Sequence, residues 1–392
     1  MNEQTFASVR LNRDKVQMAI LILSCFLGLI LLAQPSMHSQ IGEQPQKRSL
    51  PPSSIGVTAS NSNPRQIALL HWDDANLTTT FRVSHAHQQL RTFQVQALAG
   101  DTFIEINHPE GVRGTRVWSL DAQGDAIGSY DDANQVRHGF FWHDGRFTTI
   151  DHPKAGHGRP GPLGPQGTTL YDINGFGDIT GRYINSNHEA HSFVLRGGTF
   201  TPIDDPGSPR GRGYGTQADG INDAGDIVGD FTDEDFTVHG FVLHDGTYTT
   251  IDAPHAEHGP YVGSHAFGIN DAGDIVLHTQ PGQRIFEGYL LRDGRFKKID
   301  DRHGVLGTVV SGINAAGIIV GQWIDGNNVS HGMVYCKGTF TTHDEPDAGR
   351  TDGQGTVLTK INADGEIAGW YTDVHNHDHG FLLRLGHDPC GE

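Results

Sequence analysis

From residue 102 to residue 385 the chain alternates short apolar or β-branched runs with Gly, Asn and Asp punctuation, and one period shows the plan. Thr216 to Ile221 alternates, Asp226 to Phe231 is apolar, Gly240 to Leu243 is apolar, and Thr247 to Ile251 is rich in aromatic and β-branched residues. Runs of this length bounded by turn formers read as strands. The spacing of an amphipathic helix is missing from the region. The pattern therefore predicts four strands per period, named A to D in chain order.

The period is regular. Its Ile-Asn pair or equivalent falls at Leu120/Asp121, Ile173/Asn174, Ile221/Asn222, Ile269/Asn270, Ile313/Asn314 and Ile361/Asn362, in steps of 53, 48, 48, 44 and 48 residues. The start of strand C keeps pace as His138-Gly139-Phe140, His191-Ser192-Phe193, His239-Gly240-Phe241, Glu287-Gly288-Tyr289, His331-Gly332-Met333 and His379-Gly380-Phe381. Units of this size cannot bury an apolar face alone and must stack on their neighbours. Four-stranded units of this length are β-propeller blades.

Strand D begins at Phe103, Phe147, Phe200, Tyr248, Phe296 and Phe340, and its first copy precedes any complete A-B-C set. The last A-B-C set, Thr356 to Leu385, has no strand D after it. A ring closes on those terms if the first strand completes the last blade, which removes the open edges. The expectation is an all-β propeller of six four-stranded blades over 102–392, preceded by a degenerate segment or partial blade in 66–101, with seven blades as the alternative.

The repeated phrases resemble the HAF-repeat family, bacterial proteins described as probable extracellular repeats. The resemblance covers about Thr102 to Leu385 and rests on Gly-Ile-Asn-x-x-Gly recurring with His-x-Phe. Most copies here carry Gly where the family name has Ala, and one reads Glu287-Gly288-Tyr289. That family is defined by its repeats and not by a reaction, so the resemblance implies no activity.

Charge narrows the partners. Lys plus Arg number 28 against 46 Asp plus Glu, a net charge of −18. Nucleic acid and anionic membrane surfaces are bound through basic patches, so neither is expected as a partner of the body. At the N-terminus Arg10, Arg13 and Lys15 precede an uncharged apolar run of 16 residues, Met18 to Ala33. That order reads as an export signal. Residues 1–34 are then a signal peptide or an uncleaved membrane anchor, and 35–65, rich in Pro, Ser, Gln and Asn, a flexible linker. The body would be secreted, periplasmic or anchored outside the cytoplasm, touching a membrane only through the N-terminal apolar segment.

Outside that segment, which holds Cys25, the cysteines are Cys336, at the end of strand C in the fifth blade, and Cys390, just past strand C in the sixth. Either they pair in an oxidising compartment or they stay free thiols. The repeated Asn222-Asp223-Ala224-Gly225-Asp226 has the look of an acidic calcium loop. Its fifth copy, Asn314-Ala315-Ala316-Gly317-Ile318, has no acid, which favours a hairpin whose Asn bonds its own backbone. The recurring strand-C His is expected to make one structural hydrogen bond per blade. His375, His377 and His379 alternate, and in an extended segment they would share a face suited to zinc, copper or nickel.

Enzyme signatures are thin. The chain has no Gly-x-Ser-x-Gly elbow, no His-Glu-x-x-His and no phosphate-binding Gly loop, and no cofactor is expected. Asp151, Asp204, Asp252, Asp300 and Asp344 recur after strand D, whereas a glycosidase needs a unique pair of carboxylates. The A-B and C-D turns are short and constant; the B-C and D-A loops, on the other face, are long and varied. Variable loops on a rigid scaffold are where proteins place function. The ligand-binding candidates are therefore Tyr183, Tyr214, Tyr261, Arg212, Asp233 and Asp325, while Trp323 and Trp370 read as inter-blade packing. The functional expectation is an exported, non-catalytic binding module for carbohydrate or protein, with a cell-envelope polysaccharide hydrolase or lyase as the alternative. Unique carboxylates beside a central pocket would favour the enzyme.

Overall fold

The computed structural model describes the backbone of strands 65–73, 78–85 and 88–96, then residues 100–391 apart from 212–213 and 281–284. The N-terminal apolar segment, Cys25 and the linker as far as residue 64 lie outside the described residues. Two compact units are present, Met1–Gly100 and Asp101–Glu392. In the first, Arg65–Asp73, Thr78–His85 and Gln88–Gln96 pair antiparallel in chain order.

The second unit is a six-bladed β-propeller. Blade 3 is representative: strand A Thr216–Ile221, B Ile227–Thr232, C Val238–His244 and D Thr247–Thr250, all antiparallel. The orphan strand Thr102–Ile106 pairs with Asp378–Arg384 and supplies strand D of blade 6, as the strand count predicts. Adjacent blades touch through one parallel bridge near the starts of strands C and A. These bridges are Arg137–Gly167, Ala190–Gly215, Val238–Gly263, Phe286–Gly307, Ser330–Gly355 and, across the closure, Asp378–Gly114. The sixth bridge closes the ring without any strand from 65–96.

Each element of the repeated phrase has a mechanical role. Gly181 of strand B is obligatory because a Cβ there would fall 2.5 Å from Thr169 O and 2.6 Å from the Phe193 ring, so the Gly of strand B makes room for the Phe of strand C. Blade 4 breaks both at once, with Leu277 in place of Gly and Tyr289 in place of Phe. In the A-B turn Asn222 Oδ1 accepts from Asp226 N at 2.9 Å and Gly225 takes φ +86°, the hairpin expected in place of a calcium loop. The same Asn also reaches across the blade boundary. Asn174, Asn222, Asn270 and Asn314 each donate Nδ2–H to the carbonyl of the next blade's Asn, at 3.1 to 3.3 Å, and Asn362 donates to Asp121 O at 3.0 Å. Asp121 has no amide to donate, so the circle has five links where six are geometrically provided for.

A second set of contacts ties each D-A loop to its strand A. Thr115, Thr168, Thr216, Ser264, Thr308 and Thr356 each accept, through the side-chain hydroxyl, a backbone N–H at the start of the preceding loop. The core lies between blades. Val194 and Ile203 of blade 2 pack with Ala218, Ile221, Phe231 and Phe241 of blade 3, and the other boundaries repeat the arrangement.

Cys336 and Cys390 are disulfide-bonded, with Cα atoms 5.2 Å apart. The reason lies in blade 5. Elsewhere a basic residue ending strand C pairs with an acid eighteen positions earlier, as Arg196 does with Asp178 and His244 with Asp226. In blade 5 those positions are Cys336 and Ile318, which pack in one apolar cluster with Cys390.

Candidate binding site

The six strands A surround the axis, and every one carries a β-bulge at the same place. The strand-A to strand-B register skips Trp118, Tyr171, Asp219, Phe267, Ser311 and Thr359. A bulge re-aims the side chain of the extra residue. All six line one central cavity of about 220 Å³. One residue further on, the Gly of the Gly-Ile-Asn phrase is kept in blades 3, 4 and 5 as Gly220, Gly268 and Gly312, but blades 1, 2 and 6 carry Ser119, Asp172 and Lys360. These three join across the ring. Lys360 Nζ and Ser119 Oγ each lie 2.6 Å from the Asp172 carboxylate, which also accepts the backbone N–H of Ile173 and Ile221. The ion pair floors the cavity beside the asparagine circle; Val309 and Phe286, near the strand starts, line its other end.

The cavity wall combines aromatic faces with acceptors that have no partner. Trp118 packs 5.2 Å from Tyr171 and 4.7 Å from Trp370, and Phe267 stacks on His278 at 4.9 Å. Trp370, read from sequence as inter-blade packing, is thus part of the cavity, with Arg116 over its ring at 5.3 Å. Asp219 Oδ2, His278 Nδ1 and Gln322 Oε1 are buried without a hydrogen-bond partner among the described residues. Asp219 and His278 are 5% and 6% exposed. Burial, then the adjacent Asp230 charge, holds the Asp219 carboxyl well above the usual range. Burial pushes the His278 imidazole down to about 3, so the ring is neutral at ordinary pH. Its other nitrogen bonds the Val310 backbone, which leaves Nδ1 as the lone-pair side.

The residues expected from sequence do not form one site. Tyr183 is a buried strand-B residue, 7% exposed, stacked on His152 at 3.8 Å. Asp233 and Asp325 cap their own B-C turns: Asp233 Oδ1 accepts from Asp235 N and Thr237 N, Asp325 Oδ1 from Asn327 N and Val329 N. Arg212 lies outside the described residues. Tyr214 and Tyr261 do come together on the long-loop face. The B-C turn of blade 3 puts Phe236 between them, 4.4 Å from Tyr214 and 5.5 Å from Tyr261. Next to Tyr214, a pocket of about 260 Å³ between blades 2 and 3 is lined by Asp204, Ser208 and Arg210 among others, and Ser208 Oγ there is buried without a partner among the described residues.

The histidine expectations divide. His138, His191, His239 and His331 each place Nδ1 at 2.7 to 2.9 Å from the Asp after strand D, so the structural bond expected in every blade is made in four, blade 4 having Glu287 at the position and blade 6 having Asn107 in place of the Asp. His375 and His377 are a correction. Their segment is not extended: Asp373 Oδ1 accepts both of their backbone N–H groups and Asn376 takes φ +61°, so the chain turns. The three imidazoles are not brought to one face, His379 instead meeting Asn107 at 3.2 Å. Among the described residues no three His, Cys, Asp or Glu side chains are grouped as a metal site needs, and no helix is long and apolar enough to cross a membrane.

Asp172, Asp219, His278, Gln322 and Lys360 were not among the sequence candidates, yet the repeats carry a signal for them. They occupy columns where the phrase varies from copy to copy: the bulge, the Gly before Ile-Asn, and the strand-B residue after Gly. That last column reads Ser129, Arg182, Asp230, His278, Gln322 and Trp370 around the ring.

No family model matches the chain, and no curated protein matches it. Among solved structures it is similar to AofleA from Arthrobotrys oligospora, at 12% identity over 73% of this chain and 87% of that one, with a TM-score of 0.46. The fucose-specific lectin from Aleuria aurantia is similar at 12% identity over 71% and 99% of the two chains, TM-score 0.42. The β-propeller domain of the Trilobed protease from Pyrococcus furiosus is similar at 8% identity over 82% and 93%, TM-score 0.39.

Proposed function

We propose that this chain is an exported, non-catalytic binding module that takes carbohydrate on its long-loop face. The observation that carries the reading is the aromatic run Tyr214, Phe236 and Tyr261 beside the polar pocket of Asp204, Ser208 and Arg210. Sugar rings present apolar C–H faces edged by hydroxyls; aromatic side chains offer area for the first and the pocket offers hydrogen-bonding groups for the second. Export is supported by the positive-then-apolar N-terminus, by the disulfide, which belongs to oxidising compartments, and by the resemblance to extracellular HAF-repeat proteins.

The carboxylates of the central cavity do not favour the hydrolase. Asp172 is bound by Lys360, Ser119 and two backbone amides, and Asp219 accepts from Gln217 Nε2 and lies beside the Asp230 carboxylate. A retaining or inverting glycosidase holds its two carboxyls at least about 5 Å apart around the scissile bond.

A glycan array read for both bound and released sugar tests the proposal. Binding without release is expected, with Tyr261→Ala weakening it about tenfold through loss of one stacking face, and EDTA without effect. Released sugar would overturn the reading in favour of the hydrolase. Silence on every glycan would overturn it in favour of a protein partner.

A further inference from the structure

The central cavity offers a guest donors and aromatic faces, but few acceptors. Asp219 Oδ2, His278 Nδ1 and Gln322 Oε1 are buried in its wall, out of reach of a molecule inside it. Asp219 Oδ1 is taken by Gln217 Nε2 at 2.8 Å, and the Asp172 carboxylate by Lys360, Ser119 and two backbone amides. Tyr171 and Trp118 donate to Gln217 Oε1 and Ser129 Oγ, and Thr359 to backbone carbonyls. The donors left over are Ser311 Oγ, Gln322 Nε2 and Trp370 Nε1. All three residues line the cavity, are half-buried, and have no partner for these atoms among the described residues.

The free donors stand together. Ser311 and Gln322 belong to blade 5 and Trp370 to the adjacent blade 6, whereas Trp118, Tyr171 and Phe267 come from blades 1, 2 and 4. Trp118, 5.2 Å from Tyr171 and 4.7 Å from Trp370, makes the aromatic wall continuous. Charge selects against an ion. Lys360 is neutralised by Asp172 at 2.6 Å and Arg116 by Asp378 at 2.7 Å, while burial and the Asp230 charge favour the neutral form of Asp219. A carboxylate guest would meet Asp172 as a like charge beside the same ammonium. An ammonium guest would find no buried acceptor within reach.

We infer that the central cavity binds a small, flat, uncharged carbonyl compound, such as an aromatic ketone or a lactone, whose oxygens accept from Ser311, Gln322 and Trp370 and whose ring lies against Trp118, Tyr171 and Phe267. A carbonyl oxygen accepts through two lone pairs and brings no donor, which matches free donors beside an aromatic wall. A sugar brings a proton with every hydroxyl and would leave most of them unmet. The volume of about 220 Å³ is below the roughly 300–1,000 Å³ of pockets for drug-sized ligands, which limits the guest to one or two rings. The site is independent of the loop-face reading.

Isothermal titration and thermal melts of the full-length protein with coumarin, indole and benzoate test the assignment. Coumarin has two oxygen acceptors and no N–H or O–H, indole has an N–H and no lone-pair acceptor, and benzoate is an anion. Coumarin should bind and raise the melting temperature, with indole and benzoate at least tenfold weaker. Gln322→Met, which keeps the volume and removes the amide, should weaken coumarin about three- to tenfold, the worth of one hydrogen bond, and leave indole unchanged. Ser311→Ala should do the same and stands in if the first variant does not fold. Tyr261→Ala should leave coumarin binding unchanged, so glycan and cavity results fail separately. No binding of coumarin would mean that water alone fills the cavity, and equal or tighter binding of indole or benzoate would mean that it does not select neutral acceptors. Coumarin affinity unchanged in both cavity variants would put the guest elsewhere. Each of these results overturns the proposal.

Discussion

His138 sits with Nδ1 2.7 Å from Asp151 and Nε2 3.8 Å from Asp132, under the ring of Tyr130 at 5.1 Å, and His191 is held alike by Asp204, Glu189 and Tyr183. The hydrogen bond to Asp151 or Asp204 raises each imidazole above its ordinary value in spite of burial. A raised folded-state value means that the contribution is complete below the unfolded value of about 6.5 and is lost as pH rises through the folded one. Thermal melts should therefore show stability falling above about pH 6.5, and the double variant His138→Gln/His191→Gln should flatten that slope, with roughly 0.5–1 kcal/mol per pair at stake. Asp172 sets a steeper case, because its side chain is 3% exposed and Lys360 is the cation beside it. Lys360→Met should destabilise by about 3–5 kcal/mol, and adding Asp172→Asn should restore much of it, since the cost is an uncompensated buried charge. Denaturant melts of the single and double variants measure the difference.

At the scale of the element, the A-B hairpin does two jobs with one residue. Asn Oδ1 closes its own turn and Asn Nδ2 links to the next blade, but Asp121 can do only the first. Asp121→Asn should complete the circle and raise stability by about 0.5–1.5 kcal/mol, the net worth of one hydrogen bond. A rise in melting temperature checks it, and a fall would show that the Asp121 charge is needed where it stands. Strand A shows why a bulge matters to function. With period-two alternation the skipped residue could not share a face with its successor, yet both Tyr171 and Asp172 line the cavity, as do Thr359 and Lys360.

For the whole molecule, closure is the event on which the other contacts depend. The ring is joined between blades 6 and 1 by strand Thr102–Ile106, by the Gly114–Asp378 bridge and by Arg116, whose side chain lies 2.7 Å from Asp378. A chain beginning at residue 101 should fold cooperatively, and one beginning at residue 108 should not, because Phe381 and Leu383 of the last strand would lose Phe103 and Glu105 from their edge. Circular dichroism melts distinguish the two. The Cys336–Cys390 bond closes a loop of 54 residues at the other end of the chain. Reduction, or Cys390→Ser, should cost about 2–4 kcal/mol, read as a drop in the denaturation midpoint.

Much of this protein is written in its sequence because it is written six times. The period, the four strands, the orphan strand that completes the last blade and a structural role for the strand-C histidine all follow from the recurrence of Gly-Ile-Asn and His-Gly-Phe, since a contact repeated from blade to blade leaves the same residues at the same spacing. The partnership of Cys336 and Cys390 is half legible: blade 5 lacks the ion pair its siblings have, but only the return of the C-terminus brings the second sulfur close. The cavity was not legible as a site. Its residues come from all six repeats, Lys360 and Asp172 for example at a separation of 188, and only ring closure makes them neighbours. Local pattern determines blades, because blades are built from contacts near in sequence; the cavity belongs to the ring, where one bulged residue from each blade meets the others at the axis.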